Sequence, residues 1–147
     1  IRDAKPTDAA QIADFNTKMA QETESKTLDP NLIGPGVAAV LSDSAKGRYW
    51  VADIDGEAAG QLLVTYEWSD WRNGMIWWIQ SVYVPEKFRR KGVFSALYKH
   101  VESLAKADAS VCGIRLYVER SNEKAQATYL NLGMVDPGYR MMESIFR

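Results

Sequence analysis

Alternation and helical spacing divide the chain into a regular succession of elements. Ile1 to Asp3 reads as a short strand. Pro6 and Thr7 then open a helix, with Thr7 as N-cap and Ile12, Phe15 and Met19 recurring at helical spacing. Glu22 to Asp29 is polar and reads as a loop. Pro30 is a candidate helix start, but Gly34, Pro35 and Gly36 interrupt it, so a second helix is expected from about Pro35 to Asp43. Arg48 to Ile54 is a strand, Asp55-Gly56 a two-residue hairpin turn, and Gln61 to Trp68 the returning strand. A second hairpin at Asn73-Gly74 leads into a long strand, Met75 to Val84. Strict alternation puts Ile76, Trp78, Gln80, Val82 and Val84 on one side of it, and Trp77, Ile79, Ser81 and Tyr83 on the other. Both sides are largely apolar, which predicts helices on both faces. Two polar residues, Gln80 and Ser81, interrupt this strand near its middle, a first sign of a site.

After Gly92 comes an amphipathic helix with Phe94, Leu97, Val101, Leu104 and Ala105 on one stripe. Val111 to Val118 reads as a buried strand, and Asn122 to Leu132 as another amphipathic helix with Gly133 as its C-cap. Pro137-Gly138 makes a last turn before a terminal strand, Tyr139 to Phe146. The order is three antiparallel strands followed by strand, helix, strand, helix, strand: a mixed α/β (α+β) sheet rather than a doubly wound one. No repeat, low-complexity tract or linker divides the chain, and residues 1–147 read as one domain.

Composition narrows the function. Hydrophobic residues make up 46% of the chain and charged residues 25%, with a net charge of −1. That balance describes a globular protein without the basic surface of a general nucleic-acid binder, so no nucleic-acid partner is expected. No apolar run reaches the ~20 residues of a membrane helix, and no signal-peptide pattern opens the chain, so no membrane partner and a cytoplasmic location are expected. A single cysteine, Cys112, excludes an internal disulfide and reads as a small apolar group in its strand. The lone histidine, His100, reads as a surface residue, and no metal site is expected.

The chemistry concentrates between Trp77 and Leu97. A strand runs into a Pro85-Glu86 turn, three cations follow (Arg89, Arg90 and Lys91), and Gly92 then opens a helix. First-turn helix amides have no intrahelical partner, and the helix dipole adds roughly half a positive charge at that end. A basic glycine turn placed there is an anion site, suited to phosphate.

Val82-x-Val84, then Arg89-x-x-Gly92 opening a helix, then Asn122-x-x-Ala125-x-x-x-Tyr129-x-x-Leu132-Gly133-Met134 resembles the GNAT superfamily of N-acetyltransferases. Ile1-Arg2-x-Ala4-x-x-x-Asp8 is similar to the opening of such a domain, so the resemblance spans nearly the whole chain. It implies a fold of about seven strands and four helices, with acetyl-coenzyme A as cosubstrate in a V-shaped opening between the strands ending near Val84 and Val118. It also implies that backbone groups of Val82, Tyr83 and Val84 pair with the pantetheine arm. The stretch Arg89, Arg90, Lys91, Gly92, Val93, Phe94 and Ser95 would cradle the pyrophosphate, Asn122 would touch the arm, and Tyr129 would reach the sulfur. A phenol of reference pKa about 10 can protonate a departing thiolate. A homodimer is expected from the resemblance alone.

Two departures stand out. Phe94 occupies a position where the family usually has glycine or alanine, so its side chain must point away from the pyrophosphate. The Trp-rich hairpin resembles the diamine acetyltransferase branch, yet Gln80 and Ser81 stand where that branch carries a Glu-Asp pair. Neither can act as a carboxylate base, so the proton of an amine with pKa near 10 leaves through water to Glu67 or Asp70, or the amine binds as its rare neutral form. Trp78, Gln80 and Ser81 are the candidate acceptor-binding residues, and Tyr129 and Glu67 the candidate catalytic ones. The expected activity is direct acetyl transfer to a small primary amine. The alternatives are a diamine, polyamine, amino-acid or peptide acceptor, or an idle acyl-CoA-binding domain.

Overall fold

A computed structural model describes residues 1–147 as two compact units, Ile1–Leu116 and Tyr117–Arg147. In the first, five strands lie side by side in chain order: β1 (Arg2–Asp3), β2 (Arg48–Ile54), β3 (Glu57–Ser69), β4 (Gly74–Tyr83) and β5 (Val111–Leu116). Neighbours are antiparallel except β4 and β5, which are parallel. The helices of this unit are α1 (Ala9–Glu24), α2 (Pro30–Ser42) and α3 (Val93–Ala107). Five strands form, against the about seven that the family resemblance implies.

β2 shows how the sheet divides its core. Tyr49 and Val51 pack with Ile12 of α1 and Val37 of α2. Trp50, pointing the other way, meets His100 of α3 edge to face at 6.3 Å. Thus α1 and α2 cover one face and α3 the other, with Trp50, Leu62, Val64, Leu97 and Val101 almost wholly buried. His100 is half-buried against that tryptophan rather than a free surface residue.

Several boundaries differ from the sequence reading for local reasons. Thr7 does not cap α1. Pro6–Asp8 form a 3-10 turn, and the Asp8 carboxylate accepts the Lys5 amide at 2.6 Å while pairing with Arg2. α2 starts at Pro30 instead of Pro35, because Asp29 accepts the Asn31 amide at 2.8 Å and Pro30 fits the first helical position. Pro35 sits inside it, where burial of Val37 and packing of Ile33, Val40 and Leu41 outweigh the missing amide. Asp55 and Gly56 take positive φ as a two-residue turn requires. At the other hairpin the loop is Asp70–Asn73 and Gly74 already belongs to β4. A Cβ on Gly74 would lie 2.9 Å from that of Cys112, so only glycine admits β5 alongside.

Strict alternation in β4 fails at one residue. Leu63 pairs with Ser81 but Val64 pairs with Ile79, leaving Gln80 as an extra, bulged residue. Trp77 accordingly stacks on Trp50 on the α3 side, at 6.0 Å. Tyr83 stacks on Phe15 of α1, at 5.3 Å. The expectation that Trp77 and Tyr83 share a face is therefore corrected. A second bulge explains Cys112: Met75 pairs with Val111 and Ile76 with Gly113, so Cys112 is the extra residue and is exposed, not packed inside.

The second unit contains α4 (Glu123–Asn131). Asn122 caps it, its side chain accepting the Ala125 amide at 3.1 Å, and Gly133 leaves the helix at φ 88°. Tyr139 to Phe146 forms no strand. A strand exists only with a hydrogen-bonded neighbour, and this segment has none, leaving Tyr139, Met141, Met142, Ile145 and Phe146 exposed.

Candidate active site

The β4–β5 pairing stops at Ile79 and Leu116, while β4 runs on to Tyr83. Beyond Ile79 the outer edge of β4 therefore has no strand beside it, and β5 ends at Leu116 rather than at the expected Val118. Past Val84, a 3-10 turn (Glu86–Phe88) leads to the basic segment. Arg90 adopts φ 62° and Gly92 φ 78°, and Gly92 caps α3. The first bond of α3 closes from the Ala96 amide to the Gly92 carbonyl at 2.9 Å, so the preceding amides lie outside the helical ladder. A cavity of about 230 Å³ opens against them, lined by Val84, Phe88, Arg89, Arg90, Gly92, Val93, Phe94 and Ser95. Exposed cations, first-turn amides and a cavity at one helix end fit a bound phosphate. The Phe94 ring lies 6.3 Å from that of Tyr98, one turn further along α3, although the residue itself lines the cavity.

The three cations behave differently. Arg89 donates through Nη2 to Glu22 at 2.5 Å and through Nε to the Val84 carbonyl at 2.8 Å. Tyr83 donates its hydroxyl to the other Glu22 oxygen at 2.8 Å. The Arg89 guanidinium holds the Glu22 carboxyl below its usual range, and Glu22 in turn raises Arg89. Burial, with Glu22 adding to it, pushes the Tyr83 phenol up to about 12. Arg90 and Lys91 are exposed, with the Lys91 ammonium 5.6 Å from the Phe88 ring. Glu22 was missed in sequence because it opens a polar run. The available signal was spacing, since Ile12, Phe15, Met19 and Glu22 continue one helical stripe.

On the α1 side of the sheet, Gln80 donates to Thr65 at 2.8 Å, and Thr65 is the cross-strand partner of half-buried Trp78. The Ser81 hydroxyl is buried without a hydrogen-bond partner. Glu67 accepts from Arg115 at 2.7 Å, and both side chains remain partly exposed. Arg115, in β5, carried no sequence signal. Of the clustered tryptophans, Trp77 is buried, while Trp68 and Trp71 are exposed at the hairpin tip. In the second unit Tyr129 lies on α4, and burial raises its phenol above the ordinary value. No group of three or more His, Cys, Asp or Glu is placed to hold a metal, and no helix is long and apolar enough to cross a membrane.

The sequence and the fold are matched in known proteins. Residues 11–134 match the Acetyltransferase (GNAT) family, and the chain belongs to it. As a member it is an N-acetyltransferase, an enzyme class that uses acetyl-coenzyme A as cosubstrate. Its structure is similar to that of a possible acetyltransferase from Clostridium difficile 630, at 44% identity and TM-score 0.93, over 99% of this chain and 96% of that one. The fold is also shared by a ribosomal-protein-alanine N-acetyltransferase from Brucella melitensis biovar Abortus 2308, at 17% identity and TM-score 0.76, covering 97% and 96%. An aminoglycoside acetyltransferase from an uncultured soil metagenomic sample shares it too, at 16% and 0.75, covering 99% and 97%. Among curated proteins, none matches the sequence significantly.

Proposed function

We propose that this enzyme moves an acetyl group directly from acetyl-coenzyme A to a small primary amine. The observation that carries the reading is the open edge of β4, which continues past its last pairing with β5 and ends at the basic turn. In this reading the backbone of Val82 to Val84 binds the pantetheine arm. The first-turn amides of α3, with Arg90 and Lys91, meet the pyrophosphate. The cosubstrate supplies an activated acetyl thioester. A strand amide offsets the oxyanion that develops as the amine attacks. Asn122 contacts the arm, and Tyr129 protonates the departing thiolate. A phenol kept above its ordinary pKa by burial stays protonated at neutral pH and is suited to that role. Direct transfer is favoured over an acyl-cysteine, because Cys112 lies at the start of β5 and the opening at its end.

The acceptor side carries Trp78, Ser81 and Gln80, and the charge of Glu67 is matched by Arg115. A face without net negative charge does not select a polycation, which favours a monoamine over a diamine or polyamine. Glu67 takes the ammonium proton through water. An amino acid or peptide N-terminus is the second reading, and the carboxylate of a free amino acid would compete with Glu67 for Arg115 on the same face. A single catalytic domain working as a cytoplasmic homodimer completes the proposal.

The test is thiol release from acetyl-coenzyme A across a panel of monoamines, diamines, polyamines and amino acids. Binding of coenzyme A without release on any amine would leave an idle acyl-CoA-binding domain. Tyr129→Phe is expected to keep coenzyme A affinity and cut turnover about 10- to 10³-fold. Unchanged turnover removes Tyr129 from the general-acid role.

A further inference from the structure

We infer that Glu22 is a positioning residue for the phosphate turn, acting through Arg89. The inference rests on the acetyl-coenzyme A reading of that turn and names what holds the turn in shape.

One carboxylate at the end of α1 ties the last residue of β4 to the basic segment that follows it. It accepts from the Tyr83 hydroxyl and from Arg89, and Arg89 also donates to the Val84 carbonyl. These three residues bracket the 3-10 turn at Glu86–Phe88. Immediately beyond the anchor, Arg90 takes φ 62°, a conformation that a residue with a side chain keeps only when its surroundings impose it. Gly92 at φ 78° then aims the first turn of α3. The anchored Arg89 is thus the fixed point from which two left-handed residues turn the chain into the helix.

The charges divide accordingly. The charge of Arg89 is offset by Glu22, and its fork is occupied by a carboxylate and a carbonyl. Arg90 and Lys91 are the exposed cations left for an anion. Three adjacent basic residues therefore serve two purposes, one structural and one electrostatic. Glu22 itself is not a catalytic residue, because its contacts are to the protein's own turn.

The test combines amide hydrogen exchange on the unliganded protein with steady-state kinetics. In Glu22→Gln, exchange of the Phe88, Arg89 and Ala96 amides, which donate to the Pro85, Glu86 and Gly92 carbonyls, is expected to rise about tenfold while β2 and β3 stay protected, because only a local unit is loosened. KM for acetyl-coenzyme A is expected to rise about tenfold with kcat unchanged, a split that a general loss of fold does not produce. The swap Glu22→Arg with Arg89→Glu restores the ion pair but neither the Tyr83 nor the Val84 hydrogen bond, so it is expected to recover part of the exchange protection lost in each single variant. Tyr83→Phe, which removes one of the two Glu22 contacts, is expected to give a smaller increase in exchange. Unchanged exchange in Glu22→Gln, or a swap that restores nothing, overturns the inference. So does tighter binding of coenzyme A by Glu22→Gln, which would make Arg89 a phosphate ligand that Glu22 restrains. If the wild-type protein binds no coenzyme A, the functional reading falls, and exchange in the unliganded protein still decides the role of Glu22.

Discussion

Gly92→Ala isolates the backbone contribution of the turn. Gly92 sits at φ 78° and ψ 10°, and a Cβ built there meets nothing within 4 Å. The substitution therefore adds no clash, only the cost of holding an L-residue in the left-handed region, about 1–2 kcal/mol. For a chain of this size each kcal/mol moves Tm by about 2–4 °C, so a fall of about 2–8 °C is expected. Gly36→Ala provides the control, since this glycine lies inside α2 with nothing within 4 Å of an added Cβ and its φ is not positive. There the same change should stabilise by about 0.5–1 kcal/mol. Thermal unfolding of the two variants, with and without coenzyme A, reads the difference in sign. Gly92→Ala should also weaken coenzyme A binding, because a turn relaxing toward negative φ carries the first-turn amides with it. Gly92→Asn should recover part of both losses, since asparagine tolerates this region better. If Gly92→Ala raises Tm as Gly36→Ala does, the assignment of a left-handed, ligand-shaping turn is wrong.

Tyr83 gives a pH prediction. Its phenol is raised to about 12 in the folded protein against 10.0 ordinarily, so the folded state favours the neutral form. That stability is fully present below pH about 10 and is lost as pH climbs from about 10 toward 12, where only the unfolded chain ionises readily. Tyr83→Phe should flatten part of this alkaline loss in a denaturation series, and an unchanged slope would refute it. Asn122→Ala should cost about 1 kcal/mol by removing the α4 cap, read as a lower midpoint in urea. A midpoint equal to the wild type would mean that the cap contributes nothing.

Much of the sheet was legible because its signals were local. Asp55-Gly56 announces its turn through φ, and the stripe from Phe94 to Ala105 announces α3 through spacing. The basic turn before Gly92 was legible for the same reason. What escaped depended on tertiary partners. The start of α2 is set by Asp29 and by burial of Val37 against β2, which outweigh a Gly-Pro-Gly sequence that locally reads as a break. The pairing of Arg89 with Glu22 joins residues far apart in sequence, and no short-range rule separates Arg89 from the two cations beside it. The exposure of Cys112 follows from a bulge that apolar patterning does not reveal. The terminal segment read as a strand from composition alone, but strand formation requires a neighbour that composition does not provide.

The bulge at Gln80 also sets the parity of β4. Residues before it are counted into the α3 side by one parity and residues after it by the opposite one. Trp77 and Tyr83 can thereby anchor opposite layers from a single strand. For the fold, the length of β4 is consequently more constrained than its identity at position 80, an exposed site whose side chain donates to Thr65. The fold should tolerate many replacements of Gln80, whereas deleting it would turn Tyr83 away from Glu22 and send Val82 into the layer that Tyr83 had filled. A single added residue decides which of two cores receives Tyr83.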